Sequence, residues 1–526
     1  MQRWNGWGDE SIDYPLHDSA RRYLETLVGP GSPTTDADQH SVLQSVPASR
    51  LPEHPLVDAA PLTRLLHARG QSLPDWIALR SGRVNTFPDG VAYPTTSQEV
   101  RQLIHFAAQA GAHLIPYGGG TSVVGHINPL DQGAPSLTVD MRRMNRLLNF
   151  ETDNLLATFG SGITGPDLEA QLRAHGCTLG HFPQSFEYST LGGWVAARSS
   201  GQQSLGYGRI ERLFAGAQLE TPQGLLELPA FPASAAGPDL REAVLGSEGR
   251  LGLLTQVTMR VSPLPEREDF HAIFFPDFEH GMAAARRMLA ERLPLCMLRL
   301  STATETATTL ALAGHEGLIN ALQTLLKARG LRQGKCMLLV GFCGKPGVVQ
   351  FARSQALAAA AAHSGIHVGK VFGAQWHKNR FRTPYLRNTL WKLGYAIDTL
   401  ETAVSWSRVP ALIEAIETAL RSSQAGRMHV FTHLSHLYLH GSSIYTTYLF
   451  PLSADPEQTL ARWQAMKSAA SQAIQAHGGT ISHQHGVGAD HAAYLPAEKG
   501  ALGMQTIRQI ASSLDPQGMM NPGKLF

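Results

Sequence analysis

The chain has 526 residues, 43% hydrophobic and 16% charged, with a net charge of +2. Those proportions fit a soluble globular protein of two or more domains. The near-neutral charge argues against nucleic acid or an acidic polymer as a partner, and no apolar run is long enough to read as a membrane span.

The four cysteines, Cys177, Cys296, Cys336 and Cys343, form no CxxC pair and read as buried thiols in a reducing compartment. Neither end of the sequence shows a secretory or peroxisomal signal, so a cytoplasmic location is expected.

Residues 1–85 are rich in Pro, Asp, Ser and His and read as an extension draped on the main body. Thr96-Ser97-Gln98-Glu99 is a capping box. Val100, Leu103, Ile104 and Ala107 follow at helical spacing until Gly111. His113–Pro116 then reads as a strand running into three glycines. Leu137–Asp140 and Leu155–Phe159 read as further strands. Thr164 starts a helix with Pro166 in its first turn and Leu168 and Leu172 on one face. Val257, Met259 and Val261 alternate with polar residues up to Pro263, a strand and its stop. Residues 86–265 are therefore expected to form a mixed α+β domain.

From 266 to 480 strands and helices alternate. Phe270–Phe275, Cys296–Leu300 and Met337–Phe342 read as strands, and Gly281–Ala290 and Val348–His363 as helices. This suggests helices on one face of an antiparallel sheet. Phe431–Phe450 reads as paired strands and Pro456–His477 as a helix. Residues 481–526 hold a histidine cluster and a glycine- and proline-rich tail.

The loop Pro116-Tyr117-Gly118-Gly119-Gly120-Thr121-Ser122 carries the strongest chemical signal. Glycines allow sharp turns and close backbone approach, and successive free N–H groups form a nest for phosphate or pyrophosphate. The pattern is neither GxGxxG nor GxxxxGK[ST], so a nucleotide cofactor held by another fold is expected. Two more segments share its character. One spans 183–201 and includes Gln184, Ser185, Phe186, Glu187, Tyr188, Ser189 and Thr190, then Ala197, Arg198, Ser199 and Ser200. The other is Glu248-Gly249-Arg250-Leu251-Gly252-Leu253-Leu254, just ahead of a strand.

His483 and His485 flank Gln484, and imidazoles relay protons near neutral pH. His433, His436 and His440 lie in a β-rich stretch, where His436 and His440 would share a face and His433 would point away. With no carboxylate adjacent in sequence, no metal site is expected there. Tyr445 follows in the same stretch as a candidate acid or base. Arg299 and Arg387 are charged residues in apolar settings, suited to a carboxylate partner or an anionic substrate.

Together and in this order, these segments resemble the FAD-linked oxidases of the vanillyl-alcohol oxidase superfamily, nearest to its alkyldihydroxyacetonephosphate synthase branch and the bacterial relatives of that branch. The resemblance runs from WNGWG at 4–8 to DPQGMMNPGKLF at 515–526. It implies an α+β fold: a two-subdomain FAD-binding unit, an α/β cap over the flavin, and a C-terminal segment returning to the FAD domain. It implies that Pro116–Ser122 binds the FAD pyrophosphate and that Gln184–Thr190, Ala197–Ser200 and Glu248–Leu254 line the cofactor. Thr121 and Ser122 stand where covalently flavinylated members often place a histidine, so the resemblance implies non-covalent FAD, with His126 as the alternative attachment point.

The same resemblance makes Tyr445 the catalytic tyrosine, Arg299 an active-site arginine and Arg387 a substrate-binding one. Where that branch has three histidines, this chain has His483-Gln484-His485. The expectation is an FAD-dependent oxidoreductase that takes a hydride from a hydroxy acid or alcohol. The alternative is the ether-lipid synthase, which exchanges the acyl group of acyl-dihydroxyacetone phosphate for a fatty alcohol. A small-molecule or lipid-like substrate is expected, and the chain is compatible with peripheral membrane contact and a homodimer.

Overall fold

The computed structural model describes residues 2–131, 133–313, 316–423 and 426–526. In the first sheet the strands run Val57–Asp58, Gly90–Ala92, Ser136–Asp140, His113–Tyr117, the last three parallel. Helix Ser97–Ala110 makes the crossover, burying Val100, Leu103, Ile104 and Ala107 against Leu114, Leu137 and Val139. The Thr96 hydroxyl accepts the Glu99 amide at 3.1 Å, and Gly111 ends the helix at φ 61°. Glu99 reaches back to the amide and hydroxyl of Thr95 rather than of Thr96, so the capping box is shifted by one residue on one side.

The second sheet is antiparallel, in the order Leu147–Glu151, Leu156–Gly160, Leu253–Arg260, Phe214–Thr221, Gly224–Leu228. Its core gathers Phe159, Trp194, Phe214, Val257 and Met259. Leu155 sits in the left-handed region at φ 50°, which delays the strand by one residue.

The third sheet has eight antiparallel strands. Across it lie Ile366–His367, Arg267–Phe275, Cys336–Gly344, Met297–Ser301, His429–Leu434, Gly441–Pro451 and Tyr395–Ser405, with Leu437–Tyr438 paired to Gly441–Pro451. Helices Phe278–Ala290, Pro346–Ala362, Val409–Ser422 and Pro456–Ala476 cover one face, over Phe275, Leu300, Leu338, Val430, Ile444 and Tyr448.

The expectation of helices on one face needs correction. At the Arg267–Phe275 edge the second face is covered too: Phe270, Ala272 and Phe274 pack under Leu310, Ile319 and Leu326. The run Phe270–Phe275 is apolar on both parities except His271, so both faces of that strand must be buried. The paired strands expected over 431–450 are present: His429–Leu434 pairs with Gly441–Pro451, the short Leu437–Tyr438 lies between them in sequence, and Tyr445 lies directly opposite His433.

Residues 1–85 are built into the body rather than draped on it. Trp7 is buried in the same core as Trp76 and Trp391. Its amide donates to Asn388 Oδ1 (3.1 Å), and Asn388 Nδ2 returns a bond to its carbonyl (2.9 Å). Helix Asp18–Val28 seats Leu24 and Val28 on Leu390, Tyr395 and Leu449. At the other end of the chain, Met519–Asn521 lies along the edge of His113–Tyr117. Leu114 N donates to Met519 O (2.9 Å), and Asn521 N donates to Leu114 O (2.7 Å). No described helix is long and apolar enough to cross a membrane.

Candidate active site

One cavity of about 850 Å³ joins the glycine loop to the open face of the large sheet, toward the upper end of the range for small-molecule sites. Its first wall is the loop Pro116–Ser122. Among the described residues, the amides of Gly119, Gly120 and Thr121 donate to no protein acceptor, which leaves a row of free donors in a loop that lines the cavity. Gly120 adopts φ 69°, and Gly118 and Gly119 lie so close to Thr190 and Tyr188 that a Cβ on either would collide. Two backbones thus press together to form a cradle fit for a pyrophosphate. Gln184, Ser185, Ser189, Thr190, Ala197, Ser199, Ser200, Glu248, Gly249, Gly252, Leu253 and Leu254 continue this wall.

The opposite wall follows from strand periodicity, since alternate residues share a face. Leu339, Arg299, His433, Tyr445 and Thr399 come from five neighbouring strands and all line the cavity. His433 and Tyr445 are cross-strand partners, and their rings stack with centroids 5.0 Å apart. Glu305, fully buried, pairs with Arg299 through Oε1 and lies 2.9 Å from His433 Nδ1 through Oε2. The arginine and histidine hold its carboxyl below the usual range despite burial. Tyr445 donates to Thr399 Oγ1 at 3.2 Å, and burial pushes its phenol up to about 12. It therefore carries its proton at neutral pH and acts first as a donor.

Ser482–Gly488 closes the chamber. Glu401 organises this loop, accepting from the Ser482 hydroxyl (2.8 Å) and from the amides of His483 (2.6 Å), Gln484 (3.1 Å) and His485 (2.9 Å). Glu248 does the same for Val487 and Gly488. Gln484 and His485 reach the cavity. The His485 ring meets Tyr445 edge-on at 5.8 Å, and burial lowers its pKa, favouring the neutral ring.

Several expected positions lie elsewhere. His483 is buried behind the wall, where its Nε2 accepts from Tyr438 (2.6 Å) and Arg209 (3.0 Å). With that lone pair engaged, it is a structural residue rather than a catalytic one. Phe186 stacks on Phe381, Tyr188 bonds Tyr385 at 3.0 Å, and Glu187 is exposed. Arg198 pairs with Glu242, Arg250 donates to Met520 O, and Leu251 is core. These six residues support the cavity wall without lining it. Arg299 is committed to Glu305, whereas Arg387 donates to Gln71 O (2.6 Å), lies over Trp76, and keeps Nη2 without a partner. Of the two arginines, Arg387 has donors to spare. His433 does have a carboxylate neighbour, Glu305, which sequence adjacency did not reveal. His440 lies in the turn before Gly441–Pro451, away from His436.

The sequence reading missed Glu401, although an acid inside the apolar strand YAIDTLETAVS was a visible sign of a buried, partnered charge. It also missed Ser161, Trp194 and the segment Tyr14–His17, all of which line the cavity.

Buried histidines beside the site make stability depend on pH. Burial lowers His181 and His436 from 6.5 to about 3. The folded state keeps these rings neutral while the unfolded chain takes up protons first. Their contribution is therefore complete above about pH 6.5 and is lost as the pH falls toward 3. Calorimetry should show Tm falling steadily from pH 7 to pH 5, with a shallower slope in His436→Gln.

A site with this cradle, this chamber and these donors is a flavin site, and comparison with known proteins agrees. Residues 88–228 match the FAD binding domain family, and residues 264–525 match the C-terminal domain family of FAD linked oxidases. The chain belongs to the FAD-linked oxidase family, and FAD is its cofactor. It is 32% identical to the alkyldihydroxyacetonephosphate synthase of Dictyostelium discoideum, across 88% of this chain and 77% of that protein. It is 28% identical to the synthase of Trypanosoma brucei brucei, across 100% of this chain and 92% of that one. A solved structure of an alkyldihydroxyacetonephosphate synthase superposes with a TM-score of 0.84 at 28% identity, covering 99% of this chain and 98% of that one.

Proposed function

We propose that this enzyme is an alkyldihydroxyacetonephosphate synthase, exchanging the acyl group of acyl-dihydroxyacetone phosphate for a fatty alcohol. The observation that carries this reading is the single chamber that the pyrophosphate cradle, the cationic side chain of Arg387 and an apolar strip line together. That strip includes Leu312, Met337, Leu339, Phe372 and Trp376. A hydrocarbon chain beside these side chains is removed from water at about 0.8 kcal/mol per CH₂.

Bound FAD supplies the electron-poor ring that engages the substrate during exchange. Arg387 holds the phosphate. Tyr445, protonated, donates a hydrogen bond to the carboxylate that develops on the leaving acyl group. His485, neutral, packs its ring edge-on against Tyr445 and holds the phenol in place. The cap strands exclude water that would otherwise compete with the alcohol.

Gln484 favours a second reading. A carboxamide between two histidines cannot take up a proton at neutral pH, so hydride transfer from a 2-hydroxy acid to flavin is the competing use of the site. Anaerobic mixing separates the two. Release of palmitate and capture of hexadecanol from palmitoyl-dihydroxyacetone phosphate supports exchange, whereas bleaching of the flavin by a hydroxy acid supports oxidation. Arg387→Met should raise KM for the phosphate ester about 10- to 100-fold, the value of a hydrogen bond to a charged group. A KM unchanged in that variant would place the phosphate elsewhere.

A further inference from the structure

We propose that His433 is a proton-accepting catalytic residue of this chamber, its tautomer fixed by Glu305 so that Nε2 faces the substrate. The identity of the proton it takes rests on the exchange reading above; the state of the ring does not.

The geometry begins at Nδ1. That nitrogen lies 2.9 Å from Glu305 Oε2 and 3.2 Å from Arg299 Nη2. A carboxylate oxygen only accepts and a guanidinium only donates. Because Glu305 is held ionised by Arg299 through its other oxygen, the closer contact puts a hydrogen on Nδ1, pointing at Oε2. A neutral ring with Nδ1–H has its lone pair on Nε2. Among the described residues Nε2 makes no hydrogen bond, nor is it one of the fully buried orphaned atoms, while His433 lines the cavity. A free lone pair thus opens on the chamber. Stacking on Tyr445 fixes the ring plane, and the strand pairing fixes its position. Arg299, Glu305 and His433 form a buried chain in which the carboxylate orients the imidazole and stabilises the imidazolium that proton uptake creates, the logic of a carboxylate–histidine pair in other catalytic sites.

The chemistry needs such a group. Exchange converts an ester and an alcohol into an ether and a carboxylate, and releases one proton. Tyr445 cannot take that proton, since it holds its own. At His433 the alcohol O–H bond breaks and an N–H bond forms on Nε2. The electron pair left on the alcohol oxygen makes the new C–O bond, and the acyl group leaves as carboxylate with its own pair. The imidazolium then gives the proton to solvent, so the ring returns unchanged.

Two variants separate the ring nitrogens. His433→Asn places an amide N–H where Nδ1–H stood and removes Nε2. His433→Gln keeps a polar atom near the Nε2 position but cannot be protonated. Both should bind FAD with an unaltered flavin spectrum. Both should lower kcat for exchange at least about 100-fold while KM moves less than about threefold. In FAD-loaded enzyme carrying ¹⁵N-labelled histidine, assigned by the loss of one signal in His433→Asn, the ring should be neutral and protonated on Nδ1 at pH 7.5. Glu305→Gln should release that preference and mix the tautomers. A ring protonated on Nε2, or turnover in His433→Asn within threefold of wild type, overturns the proposal. If neither variant folds, the tautomer is read from wild type against Glu305→Gln, and decides alone. If wild-type enzyme performs no exchange, the functional reading falls, and the nitrogen spectrum still decides whether Nε2 is the open acceptor.

Discussion

Tyr445→Phe is expected to lose nearly all turnover and to leave the enzyme yellow. The phenol is buried, keeps its proton with a pKa pushed up to about 12, and points that proton toward Thr399 across a strand pair. Removing one oxygen leaves the ring stacked on His433, and the strand Gly441–Pro451 keeps its ladder to both neighbours. The stability cost is that of one ordinary hydrogen bond, about 1 kcal/mol. The chemical cost is much larger, because the hydroxyl is a proton donor on a cavity-lining ring packed against both His433 and His485. A loss of about 100- to 10,000-fold in single-turnover release of palmitate is expected, with flavin absorbance and Tm close to wild type. Wild-type turnover in this variant would remove Tyr445 from the chemistry.

Gly119→Ala has the second large effect, and it acts on the cofactor. A Cβ at this position collides with the carbonyl of Tyr188. The obstacle is backbone rather than a flexible side-chain end, so the two loops must separate. Separation pulls Thr190 away from Gly118 and opens the row of amides that receives the pyrophosphate. The strain alone is worth about 1–3 kcal/mol. We expect purified Gly119→Ala to be colourless, to take up added FAD at least about 100-fold more weakly than wild type, and to melt earlier. Gly347→Ala, where a Cβ meets nothing within 4 Å and the backbone is helical, is the control for the loss of a glycine as such.

The glycine loop was legible because its information is local: consecutive residues that remove Cβ atoms and offer amides can be read from spacing alone. Tyr445 and Arg387 were legible through family resemblance. The division of labour between the two arginines was not, because it depends on Glu305. The amide of that residue donates to the Thr302 cap at the start of the helix Ala303–Leu312, and its carboxylate folds back on Arg299 in the strand just before it. A Thr-x-x-Glu pattern at 302–305 marks the helix start but does not say which arginine the carboxylate meets.

His433 was misplaced for a related reason. A continuous β-rich stretch gives face by parity, and the break after Leu434 resets parity before Tyr445. The strands paired within this stretch are separated by the short Leu437–Tyr438 strand, so His433 and Tyr445 face each other across a ladder. Glu401 and the N-terminal Trp7 share a third cause. Each draws its role from partners far along the chain, the loop at 482–485 and Asn388, and no window of sequence holds both sides of such a contact.

The tail pairing has a consequence for how the enzyme is made. Asn521 reaches His126 O across 395 residues of chain, and Met519 and Asn521 satisfy the outer edge of the His113–Tyr117 strand. During synthesis that strand and the loop it carries are complete long before the tail emerges from the ribosome. Until then one sheet edge beside the cradle is bare, a surface prone to pairing with other chains. Flavin capture is accordingly expected to be a late event in biogenesis. Nascent chains stopped short of Met519 should emerge without colour and associate with one another, because Met519–Asn521 closes the edge of the strand that carries the cradle.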